Sequence, residues 1–122
     1  MHVVLVVEDD PDIRDTVCEA LEDNGYTAVP ASNGVEALDY LRATAERPCL
    51  ILLDLMMPVM DGQTFRHEQR ADAAIASIPV VVISAYRDLD KYRDELQTEC
   101  LAKPVRLETL LQTARRHCDA GA

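Results

Sequence analysis

Apolar residues along the chain alternate between short continuous runs and longer stretches in which they recur at helical spacing. Val3, Val4, Leu5, Val6 and Val7 form an uninterrupted, β-branched run, which predicts a parallel strand buried on both faces. A helix is expected to follow at once. Asp10 can cap it, Pro11 suits its first position, and Ile13, Val17, Ala20 and Leu21 keep helical spacing until Asn24-Gly25 stops it.

The alternation then repeats. Thr27 to Ala31 reads as a weaker strand, and Ser32-Asn33-Gly34 opens a helix carrying Val35, Ala37, Leu38 and Leu41. Cys49 to Leu53 is a third buried run that ends in Asp54, and a loop through Pro58 and Asp61-Gly62 leads to a helix over 63–70. Ile78 to Ile83 predicts a fourth strand, with Pro79 near its start where a missing donor is tolerable. A polar helix is expected over 88–96. The fifth strand, 99–102, is the shortest, and Lys103-Pro104 ends it before an amphipathic helix with Leu107, Leu110, Leu111 and Ala114.

Five β-α units with buried strands predict an α/β three-layer sandwich, because parallel strands need crossovers that place helices on the faces of the sheet. The expected organisation is one domain over 1–118 and a short frayed tail over 119–122. A chain of 122 residues, 48% hydrophobic, has room for one core and not for two domains.

Charge narrows the function. A formal net charge of −10 has the wrong sign for neutralising nucleic-acid phosphates or sitting on anionic lipid. No apolar run approaches the ~20 residues of a membrane span, and Met1-His2 leads directly into the first strand without the zones of a signal peptide. A cytoplasmic location is expected. Cys18, Cys49, Cys100 and Cys118 show no C-x-x-C pair, so reduced thiols are expected rather than a disulfide framework or a zinc site.

In open α/β sheets ligands bind beyond the carboxyl ends of the strands. Strand one ends in Glu8-Asp9-Asp10, strand three in Asp54, strand four in Ser84 and strand five in Lys103. If strands one and three are neighbours, their ends lie about 4.8 Å apart, which brings Glu8, Asp9 and Asp54 together. Such carboxylates either take up protons or gather around a cation, and all-oxygen ligation suits Mg²⁺ better than zinc or copper. Asp54 is then a nucleophile for a phosphoryl group, Glu8 and Asp9 hold the metal, Ser84 donates a hydrogen bond and Lys103 supplies a fixed positive charge. Taken singly, each of these residues is more simply a helix cap, a turn residue or a surface charge. Their convergence on one edge favours a phosphoryl site.

The segments VVEDDPDIR, LLDLMMPVMDG, VVVISAY and LAKP resemble, in order and across the chain, the motifs of response-regulator receiver domains. The resemblance implies a flavodoxin-like strand order 2-1-3-4-5. It also implies Asp54 as phosphoacceptor, Glu8 and Asp9 as the acidic pair, a Mg²⁺ contact from the Met56 backbone carbonyl, Ser84 as switch hydroxyl, and Lys103 ahead of a cis-proline at Pro104. The implied phosphoryl donor is a sensor histidine kinase or a histidine phosphotransfer protein, and the output is contact with a downstream protein. Whether phosphorylation also drives homodimerisation is left open.

Three departures stand out. Cys100 occupies the position of the family's switch aromatic, so the usual coupling of site to surface is replaced by weak switching, by a relocated switch such as Tyr86, or by output read elsewhere. Val105 stands where phenylalanine often follows the proline, and Gln97-Thr98-Glu99 replace small residues. Met56 and Tyr86 flank the expected phosphoryl position, which predicts slow autodephosphorylation. Two other readings compete: a phosphate-independent interaction module of the same fold, and a haloacid-dehalogenase-like phosphatase. The latter expects D-x-D, whereas Asp54 is followed by Leu55-Met56.

Overall fold

The structure is a computed structural model that describes residues 2–55, 59–85, 93–94 and 98–118. Strands β1 (Val3–Val7), β2 (Thr27–Ala31), β3 (Leu50–Asp54), β4 (Val80–Ala85) and β5 (Glu99–Lys103) alternate with helices α1 (Pro11–Asp23), α2 (Gly34–Ala43) and α3 (Gly62–Ala71), and α4 (Leu107–Cys118) closes the series. The sheet has the order β2-β1-β3-β4-β5, with every neighbouring pair parallel. Four helices are thus seen among the described residues. The helix expected over 88–96 lies outside them, except for Arg93 and Asp94, which are helical.

Local chemistry sets the boundaries. The Asp10 side chain accepts from the backbone N–H groups of Asp12 and Ile13, with Pro11 at the start of α1; the Asn33 and Asp61 side chains cap α2 and α3 in the same way. Pro30 is accommodated because β2 is an edge strand paired with β1 alone. β4 begins two residues later than expected, since the Ile78 N–H closes a turn onto the Ile75 carbonyl and Pro79 has no N–H to offer. It runs on through Ser84 and Ala85, which pair with Ala102 and Lys103.

The period-two alternation of the strands divides the core into two layers. Leu5, Val7, Ile51, Leu53, Val80, Val82 and Cys100 pack against Ala37, Leu38, Leu41 and Phe65 of α2 and α3. On the opposite face Val4, Val6, Leu50, Leu52 and Val81 pack against Val17 and Leu21 of α1 and Leu110, Ala114 and Cys118 of α4. Phe65 is fully buried, and its truncation to alanine would cost about 3–5 kcal/mol.

The expectation of four reduced cysteines is corrected. Cys49 and Cys118 are disulfide-bonded, with Cα atoms 5.1 Å apart across a sequence separation of 69 residues, while Cys18 and Cys100 are free. Spacing rules for disulfides read near neighbours. This pair is instead brought together by the sheet, which sets the residue before β3 under the last turn of α4.

Candidate phosphoryl and metal site

The carboxyl edge of the sheet gathers the predicted residues because β1 and β3 are in register, with Val7 opposite Leu53. The next residues along, Glu8 and Asp54, therefore emerge side by side, on the face covered by α1 and α4. Carboxylate oxygens of Glu8, Asp9 and Asp54 lie within 4.8 Å of one another. Glu8 and Asp54 are buried and Asp9 is exposed, so the cluster opens to solvent on one side.

Two features of the chain hold this edge in place. The Arg14 guanidinium, one turn into α1, donates to the Glu8 carbonyl at 3.0 Å. Gly62 lets α3 begin directly against the end of β3: a Cβ there would stand 2.8 Å from the Cα of Leu55, and the Gly62 N–H donates to the Leu55 carbonyl at 3.0 Å. Neither residue was assigned a role from the sequence. An arginine within a helix carries no periodic signal, and Gly62 read as the last residue of the loop before the helix. The same loop holds Val59, exposed and at φ 69°, a conformation costly for a β-branched side chain.

Electrostatics make the cluster unstable as a set of bare anions. The Glu8 carboxyl is pushed up to about 8, first by burial and then by its hydrogen bond to, and repulsion from, Asp54. A proton on Glu8 relieves the crowding when no cation is present. Lys103 relieves it from the other side, its ammonium 3.1 Å from Oδ1 of Asp54. The donor set is all oxygen, hard and anionic, which fits a small divalent cation such as Mg²⁺.

Ser84 reaches the same edge on β4, one residue beyond Ile83, the register partner of Asp54, and is buried. Alternation places it with Val80 and Val82 on the α2 and α3 face, which Cys100 shares. Cys100 is buried, and burial pushes its thiol up, away from reactive thiolate. The Lys103-Pro104 peptide bond is cis, as the resemblance implied. Met56 and Tyr86 lie outside the described residues.

The chain has many relatives among known proteins. The family model for the response regulator receiver domain matches residues 4–115. The response regulator Rre1 of Synechocystis sp. is 39% identical over 130 residues, covering 98% of this chain and 55% of that protein. The chain thus spans about half the length of the first curated relatives it matches. Among solved structures, the chemotaxis protein CheY4 of Vibrio cholerae superposes with a TM-score of 0.83 at 32% identity, covering 96% of this chain and 98% of that one. The receiver domain of a Pseudomonas aeruginosa sensor histidine kinase, described with a magnesium ion coordinated in its active-site cleft, superposes with a TM-score of 0.81 at 28% identity over 95% and 96% of the two chains. The chain belongs to the response regulator receiver domain family.

Proposed function

We propose that this receiver domain of two-component signalling accepts a phosphoryl group from a phosphohistidine onto Asp54. The carrying observation is the buried Asp54 carboxylate set between an acidic pair and the Lys103 ammonium. Glu8, Asp9, Asp54 and the Met56 carbonyl are the residues that would hold Mg²⁺, which supplies charge neutralisation of the phosphoryl oxygens when bound. Lys103 orients the Asp54 carboxylate and faces the incoming charge. Ser84 donates to a phosphoryl oxygen from the far side of the sheet edge.

The chain is a switch whose phosphoryl chemistry is limited to self-phosphorylation and autodephosphorylation, not a turnover enzyme. Its proposed partners are a sensor histidine kinase or histidine phosphotransfer protein and a downstream protein target, with no direct nucleic-acid or membrane contact by this domain. Among the described residues no helix is long and apolar enough to cross a membrane, and we place the domain in the cytoplasm. The receiver unit is taken as 1–118 with 119–122 as a tail. The reading is tested with a small phosphoramidate as a phosphohistidine mimic: it expects a base-labile acyl phosphate that needs Mg²⁺. No label, with or without Mg²⁺, would favour the phosphate-independent interaction module.

A further inference from the structure

The end of the sheet opposite Asp54 carries a second piece of chemistry. Cys49 precedes β3 and Cys118 ends α4, and their sulfurs are joined. With Asp54 five residues further along β3, the two places are roughly 16 Å apart along the strand. We propose that Cys49–Cys118 is a reversible thiol–disulfide site that locks and unlocks the last turn of α4, independently of the phosphoryl site.

The two halves of the bond differ in access. Cys118 is only 3% exposed, packed in the layer with Val4, Val17, Leu21 and Leu50, whereas Cys49 is half-buried and is the side open to attack. Reduction leaves Cys49 a place to put its new proton, since its Sγ lies 3.3 Å from the Val3 carbonyl oxygen and a thiol there can donate to it. The other two cysteines compete poorly: burial pushes both the Cys18 and the Cys100 thiol up, so neither offers much thiolate.

Release is local. Leu110 and Ala114 are buried against the sheet through contacts of their own, and these should persist when the sulfurs part. Beyond them the final turn keeps its Arg116 pair with Glu99, at 2.6 and 2.9 Å, and the His117 contact with the same carboxylate at 3.3 Å. The Arg116 pair is two-pronged, but like the His117 contact it is partly exposed, so solvent screening leaves both weaker than a covalent link. The disulfide is the strong tether of this turn.

Opening is thiol–disulfide exchange. An external thiolate attacks the Cys49 sulfur and expels the Cys118 thiolate, and a second thiolate then attacks the mixed disulfide and frees Cys49. Two external thiols become one disulfide, and their two electrons and two protons end on the protein. Closing is the reverse, with a small-molecule disulfide as oxidant. That the bond is reversible rather than permanent rests on the proposed function, because a cytoplasmic receiver works among reducing thiols, where disulfides are transient and regulatory.

The test equilibrates the full chain in oxidised glutathione or in dithiothreitol, counts free thiols by alkylation and intact mass, and maps the linkage. Amide hydrogen exchange and acetyl-phosphate labelling are measured on both forms. The expected result is two free thiols, Cys18 and Cys100, in the oxidised form and all four after reduction, with exchange at 115–118 at least about tenfold faster once reduced. A Cys49→Ser, Cys118→Ser double variant should match the reduced form. Four free thiols under every condition, a different linkage, or equal exchange in both forms would overturn the proposal, and so would labelling in only one form. The expected thiol and exchange results with no phosphate adduct in either form would keep the lock and remove the proposed function.

Discussion

The Lys103 ammonium lies 3.1 Å from Oδ1 of Asp54, joining the end of β5 to the end of β3 across β4. Asp54 is 4% exposed and Lys103 40%, so the anion is buried and the cation reaches it from the rim. Lys103→Ala removes this basic partner of the carboxylate. Labelling by acetyl phosphate should slow by on the order of 10²-fold, the usual loss for a preorganised charge donor, while Mg²⁺ binds more tightly for want of a competing cation. Single-turnover rates and calorimetric Mg²⁺ titration read the two effects, and an unchanged rate would remove Lys103 from the proposed mechanism.

The raised Glu8 pKa gives the metal-free domain a pH signature. The folded chain holds a proton on Glu8 up to about 8, whereas the ordinary value is 4.5. The stabilisation is complete below the ordinary value and is lost as pH rises through the folded value. Stability of the metal-free form should therefore decline across that window. Mg²⁺ must displace the proton, so its affinity should rise with pH up to about 8 and level off above. Proton release on binding, measured by titration calorimetry in buffers of different ionisation enthalpy, should appear in the wild type and vanish in Glu8→Gln.

Gln69 is fully buried on α3. Its amide donates to the carbonyls of Ile75 and Ile78, at 3.0 and 3.1 Å, and accepts from Arg66 at 2.8 Å. It ties the turn that leads into β4. Gln69→Leu keeps the volume but takes the amide donor from the Ile78 carbonyl, while the Ile75 carbonyl still accepts from the Ile78 N–H, at a cost of about 1–3 kcal/mol. Chemical denaturation gives the value, and a loss under 1 kcal/mol would show that water replaces the amide.

Reducing the Cys49–Cys118 bond should lower global stability as well as loosen α4. Closing a loop of 69 residues corresponds to about 4 kcal/mol of unfolded-state entropy. Denaturation of the oxidised and reduced forms should differ by that order, and coincident curves would mean that the crosslink adds little constraint.

The site was more legible than the fold's fastenings. Glu8, Asp9, Asp54 and Lys103 could be found because each follows an apolar run, and a parallel sheet necessarily delivers such residues to one edge. β1 and β3 were plain for the same reason, being continuous and buried on both faces. The start of β4 was misplaced because Ile78 is as apolar as a strand residue yet serves the turn before it. Gln69 carries no signal of its own in a helix with few apolar residues, and only the packing reveals that the amide replaces a core side chain. Cys49–Cys118 depends on which strand lies beneath which helix end, a relation with no trace in local spacing. Cys100 is buried with Val82 and Phe65, so the position that the resemblance gives to a switch aromatic holds a small core residue.

The central claim is that Asp54 takes the phosphoryl group. Intact mass after incubation with acetyl phosphate and Mg²⁺, for wild type and Asp54→Asn, tests it most directly. A single phosphate adduct on the wild type that is absent from the variant is the predicted result. An adduct of equal size on both, or none on a folded wild type, would contradict it.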